Sequence, residues 1–213
     1  MDTDDHIVVS HENRVAPETI KPKQIIHEEE STVEDLTEED PIKEDFHRAC
    51  HMSDLIRAKD LLAKGAIKYI NSSDKHGDTP LMLAVYGKGV EMVAFLLDNG
   101  ALIDFKSRCT ITPLSLAIIA QHIDCVRVLL EHGADANTYD CCAHVLIWAV
   151  MNASVEGIQL LLANGADVTL VTPDKWESTF VYYEKKKENK EKIGKIRKII
   201  NDALNGSDNY VLK

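Results

Sequence analysis

The chain has 213 residues and a formal charge of −11, with 45% hydrophobic and 6% aromatic side chains. That apolar content suffices for a core, but no uninterrupted apolar run approaches the roughly 18 residues that a membrane-spanning helix needs. The opening MDTDDHIVVSHENR has no hydrophobic signal segment, and the five cysteines lack the spacing of a disulfide framework, so reduced thiols in the cytoplasm or nucleus are expected.

Residues 1–45 hold fifteen acidic and four basic groups and carry the whole net charge; the remainder balances. Sparse apolar residues, no sustained period, and Pro17, Pro22 and Pro41 predict a disordered acidic arm over 1–45. Within it Ser31, Thr32 and Thr37 each stand three residues before a carboxylate, as sites for acid-directed kinases do. A plainer reading is a solubilising tail, and a third is a segment that binds a basic surface.

From Phe46 the chain becomes periodic. FHRACHMSDLIRAKDLLAKGAIKYIN predicts a degenerate unit over 46–73, with Ala49, Ala58, Leu61 and Leu62 apolar and Asp54 placed to start its second helix. Two well-formed units follow at 74–106 and 107–139. Each opens on Thr-Pro-Leu, runs through an Ala and a Leu-Leu pair, and closes on Gly-Ala; Thr79 to Thr112 and Gly100 to Gly133 are both 33 residues. Threonine supplies an N-cap oxygen and proline suits the first helical position, while glycine suits the left-handed residue after a helix.

The unit at 140–173 keeps the apolar frame but has His144-Val145 in place of Thr-Pro, a change expected to weaken the cap by up to about 2 kcal/mol. The last unit, 174–204, is cryptic. Aligning DKWESTFV with DKHGDTPL puts Lys175 and Trp176 at a turn tip and leaves Ile193, Ile196, Ile199, Ile200, Ala203 and Leu204 on one apolar helix face. Asn205-Gly206 is a stop signal, and 205–213 is expected to fray.

This 33-residue frame resembles the ankyrin repeat. The resemblance implies an all-α solenoid of helix-turn-helix units with β-hairpin tips over 46–204, atypical capping units at both ends, and non-enzymatic binding of another protein. Carried over by position, it places Met52, Tyr86, Ile119, Met151 and Asn152 along a concave groove. His76, Arg108, Tyr139 and Trp176 fall at the tips, with Trp176 as an exposed anchor. Met82, Ser115 and Ile147 stand where the family has a histidine, so that residue's bonds between repeats are lost. Leu129 and Asp135-Ala136-Asn137 match the spacing at which ankyrin asparaginyl hydroxylases act; alternatively Asn137 closes its own hairpin.

No cofactor or metal is expected. His47, Cys50 and His51, and Cys141, Cys142 and His144, lack the paired spacing of a structural zinc site. Cys50 and Cys125 occupy apolar repeat positions, whereas Cys141-Cys142 falls at a tip open to oxidants. Phosphate-loop, nucleophile-elbow and HExxH motifs are absent. The reading is therefore a monomeric adaptor, scaffold or inhibitor. Its alternative is an autoregulated module whose arm, when phosphorylated or not, masks the groove or the basic last helix. A nucleic-acid or chromatin-associated role ranks lower, because the lysines of that helix alternate with glutamates.

Overall fold

A polar residue followed by proline starts a helix at four places: Asp40-Pro41, Thr79-Pro80, Thr112-Pro113 and Thr172-Pro173. The side-chain oxygen takes an amide that the helix itself cannot satisfy, and proline has no amide to orphan. In the computed structural model, which describes residues 40–184 and 190–206, Thr79 Oγ1 accepts from Met82 N at 3.4 Å and Thr112 Oγ1 from Ser115 N at 3.2 Å. Asp40 accepts from Ile42 N at 2.9 Å, and Thr172 Oγ1 from Lys175 N at 3.4 Å.

Among the described residues the helices fall into pairs: α1 (Pro41–His51) with α2 (Leu55–Ala63), α3 (Pro80–Tyr86) with α4 (Val90–Asp98), and α5 (Pro113–Ile119) with α6 (Ile123–Glu131). They continue with α7 (Val145–Met151) and α8 (Val155–Ala163), then α9 (Pro173–Glu184) and α10 (Lys190–Leu204). First helices pack on first helices, α1 through α9, and α4, α6, α8 and α10 form the second layer. Between them lie the large buried side chains, among them Phe46, Leu81, Met92, Leu96, Leu114, Leu129, Leu146, Ile158, Leu161 and Ile193. Fully burying each such side chain is worth about 1.5–3 kcal/mol. Each pair is thus one unit of a stack stabilised chiefly by its neighbours.

The turn inside each pair has a feature that composition does not advertise. Ser53, Lys88, Gln121 and Ala153 sit at φ between 50° and 58°, the left-handed conformation usually given to glycine. The next amide returns to the alanine two residues before the helix end: Asp54 to Ala49, Gly89 to Ala84, His122 to Ala117 and Ser154 to Ala149, all at 2.9–3.0 Å. These closures fix the turn between the two helices of each repeat. Second helices end as expected, with Gly65, Gly100, Gly133 and Gly165 at φ of 84–96°.

A second ladder runs between repeats at the same 33-residue interval, through Asn71, Asp104 and Asn137. Asn71 accepts from Leu102 N at 2.7 Å and donates to Gly100 O at 3.2 Å; Asn137 accepts from Asp167 N at 2.7 Å and donates to Gly165 O at 3.1 Å. Asp104 accepts from Asp135 N at 3.1 Å. Asn137 therefore ties its repeat to the next one, and does not close its own hairpin. With the family histidine absent, His122 supplies another tie, its Nδ1 lying 2.8 Å from the Val85 carbonyl oxygen.

Several expectations are corrected. Helix α1 begins at Pro41, not at Phe46, because Asp40 caps it and also pairs with the Tyr69 hydroxyl and the Lys68 ammonium. Pro41 starts this helix instead of discouraging it. His144 replaces the missing threonine as cap, its Nδ1 accepting from Leu146 N at 3.2 Å. The tips are closed turns: Asp74 N donates to Asp78 O at 2.9 Å and Ser107 N to Ile111 O at 3.0 Å. Only one antiparallel bridge, Tyr139 to His144, is found among the described residues. Leu204 is 42% exposed and leaves the apolar face of α10, whose buried residues are Ile193, Ile196, Ile199 and Ile200.

Candidate protein-docking surface

The ends of the first helices and the tips beside them bring together most of the side chains expected to bind. The left-handed turn residues make the equivalences unambiguous. Tyr86, Ile119 and Met151 are the last residues of α3, α5 and α7, and the matching residue of α1 is His51. Met52, the C-cap of α1, matches Gly87, Ala120 and Asn152 instead, so Met52 stands one position out of line with Tyr86. Met52 is 70% and Tyr86 41% exposed, whereas Ile119 and Met151 are half-buried. Asn152 is half-buried too; it donates to Trp148 O at 2.9 Å, and its Oδ1 receives the Gln121 amide at 3.5 Å.

Electrostatics distinguish the first tip from its neighbours. The Tyr86 hydroxyl is pushed up to about 12, first by burial and then by the charges of Asp78, Asp74 and Cys109. Burial, followed by Asp74, raises the Asp78 carboxyl as well, against the pull of His76. His76 is exposed, as is Arg108, whose stem crosses Gly77 so closely that a Cβ there would meet its Cγ at 2.7 Å. Tyr139 is 58% exposed, and the Lys106 ammonium donates to its carbonyl at 3.3 Å. Consecutive tips therefore touch and form one continuous edge.

Trp176 does not belong to this edge. It is 3% exposed, stacks on Phe180 at 5.9 Å between ring centroids, and donates its indole N–H to Val168 O at 3.1 Å. Lys175 likewise lies within α9. The decisive signal was Thr172-Pro173, which sets the last repeat in a different register from the DK alignment and leaves no room for a tip. In that register Trp176 falls where Leu83, Leu116 and Trp148 stand.

Trp148 is a residue that the repeat pattern alone does not single out. It replaces a leucine of the repeat frame, is only partly buried, and donates its indole N–H to Asp140 Oδ2 at 2.6 Å. Asp140 is buried, and its other oxygen accepts from Cys142 N and Ala143 N, both at 2.9 Å. A leucine-to-tryptophan change in an otherwise regular repeat was the available clue.

One hollow, lined by Lys43, Glu44, His47, Arg48, Asp74 and Lys75, lies between the first repeat and the tip of the second; another, lined by Asp45, Arg48, Ala49, Met52, Asp54 and Arg57, lies on the first repeat. Cys50 and Cys125 are buried, their thiols pushed up to about 12 and about 11 mainly by desolvation. No helix among the described residues is long and apolar enough to cross a membrane.

The family model "Ankyrin repeat" matches residues 76–108, and "Ankyrin repeats (3 copies)" matches residues 102–172. Residues 76–172 are a run of ankyrin repeats. No curated protein matches the chain. Ankyrin repeats generally serve as protein–protein interaction modules and are typically non-enzymatic, which agrees with an edge of exposed apolar and charged side chains on a rigid stack.

Proposed function

We propose that this ankyrin-repeat domain is a non-enzymatic docking module that holds a partner protein against the first-helix ends and the turn tips, as an adaptor, scaffold or inhibitor does. The observation that carries this reading is the exposure of three large side chains at the helix ends and tips, Met52, Tyr86 and Tyr139. Large apolar groups bordered by charge favour a protein surface over bulk water. The surface is preformed: hydrogen bonds between repeats and left-handed turns hold its backbone, so little conformational entropy is lost on docking.

The test is capture of partners from a lysate on the full chain, compared with Tyr86→Ala/Ile119→Asp and read by quantitative mass spectrometry. Wild-type-like circular dichroism and melting establish that the variant is folded. A centrally placed aromatic contact is expected to cost at least tenfold in captured partner. Undiminished capture by the folded variant would refute the groove reading.

A further inference from the structure

The tip before α7 carries two neighbouring thiols that the docking role does not use. Cys141 and Cys142 are both exposed, and their Sγ atoms stand 3.2 Å apart. The tip is anchored by the Asp140 carboxylate, which holds the Cys142 and Ala143 amides and the Trp148 indole. Asp140, Cys141 and Cys142 place one oxygen and two sulfurs within 4.8 Å of one another, a set that suggests a metal. The geometry argues otherwise. Zinc–sulfur bonds of about 2.3 Å at a tetrahedral angle need sulfurs about 3.8 Å apart, and the carboxylate already accepts three hydrogen bonds. A sulfur–sulfur bond of about 2.05 Å needs the two atoms to close by only about 1.1 Å.

We propose that Cys141 and Cys142 form a reversible oxidation site, converted by hydrogen peroxide to a disulfide within the tip. After Cys141 loses its proton to water, its sulfur attacks one peroxide oxygen. The O–O bond breaks, and hydroxide leaves and is protonated to water, giving a sulfenic acid on Cys141. The Cys142 sulfur then attacks the Cys141 sulfur, the S–O bond breaks, and the hydroxyl departs with the Cys142 proton as a second water. Two thiols lose two electrons and two protons, and one peroxide becomes two waters.

Cys142 is pushed up to about 11, first by its hydrogen bond with Cys141 and then by burial. Adjacent residues are about 3.8 Å apart at Cα across a trans peptide, below the roughly 4.4–6.8 Å usual for a disulfide. The bond would be strained and open to reduction by ordinary thiols, which suits a switch better than a staple. Drawing the sulfurs together turns the Cys142 amide relative to Asp140 and loosens the Asp140–Trp148 anchor next to Tyr139. The effect on docking rests on the function proposed above; the oxidation itself does not.

The experiment uses the full chain, titrated with hydrogen peroxide, quenched with catalase, denatured and alkylated, and then analysed by peptide mass. The expected product is a Cys141–Cys142 peptide lighter by two hydrogens and refractory to alkylation, restored by dithiothreitol. It should form with peroxide at least an order of magnitude below that needed to modify buried Cys50 or Cys125. Cys109→Ser should leave it unchanged, while Cys142→Ser should stop at the sulfenic or sulfinic acid on Cys141. Alkylation of both tip thiols after Cys109 has been oxidised would overturn the proposal. So would a bond from either tip thiol to Cys109, which is exposed on the preceding tip. Peptide mass reports the oxidation directly, so the loss of the docking function in the capture assay would not alter its outcome.

Discussion

Truncating Trp176 to alanine separates two incompatible roles for the same side chain. An exposed tip anchor would cost binding and leave stability alone. In the structure the ring is 3% exposed, stacks on Phe180 and satisfies Val168 O with its N–H. A buried aromatic of this kind covers about 150–250 Å², worth roughly 4–6 kcal/mol at about 25 cal/mol per Å² as an upper bound. Measured aromatic-to-alanine truncations in cores cost about 3–5 kcal/mol, so Trp176→Ala is expected to lose about 4 kcal/mol. The loss should fall first on α9 and α10, because a terminal repeat has a neighbour on only one side. Urea unfolding followed by far-UV circular dichroism gives the total, and amide exchange gives its location. Trp176→Phe, which keeps most of the contact and drops one hydrogen bond, should recover more than half of it. A loss under about 1 kcal/mol for the alanine variant, with exchange in α9 and α10 unchanged, would refute the burial argument.

Thr110 stands at φ 57° where the preceding repeat has Gly77, and a β-branched residue is strained there. Thr110→Gly is expected to raise stability by about 1 kcal/mol in urea unfolding; no change or a loss would show that the turn is relaxed as it stands. His144 is buried, its pKa lowered mainly by desolvation against the charges of Asp135 and Asp167. A histidine held below its unfolded value near 6.5 binds more protons unfolded than folded, so stability should fall as pH drops below about 6.5. His144→Thr restores the hydroxyl cap and removes the buried imidazole, and its stability should respond less to the same acidification. Equal slopes for both proteins from pH 7 to 5 would exclude His144 as the source.

The amino-acid sequence by itself determined the repeat and its period. These depend on local chemistry: a threonine oxygen and a proline ring at a helix start, a glycine at a helix end, and leucines at helical spacing. Each works within a few residues and so leaves a mark in the string. Asp40-Pro41 and Thr172-Pro173 were equally legible marks, but an expected tail and a competing alignment concealed them. What only the tertiary structure decided depends on how the elements pack against one another. Ser53, Lys88, Gln121 and Ala153 adopt a glycine-like backbone because the stack holds them there, and their side chains carry no sign of it. Trp176 is buried because Phe180 and the Val168 carbonyl close around it once α9 packs on α7. The Cys141 and Cys142 sulfurs meet because Asp140, itself held by Trp148 eight residues on, folds the tip that carries them.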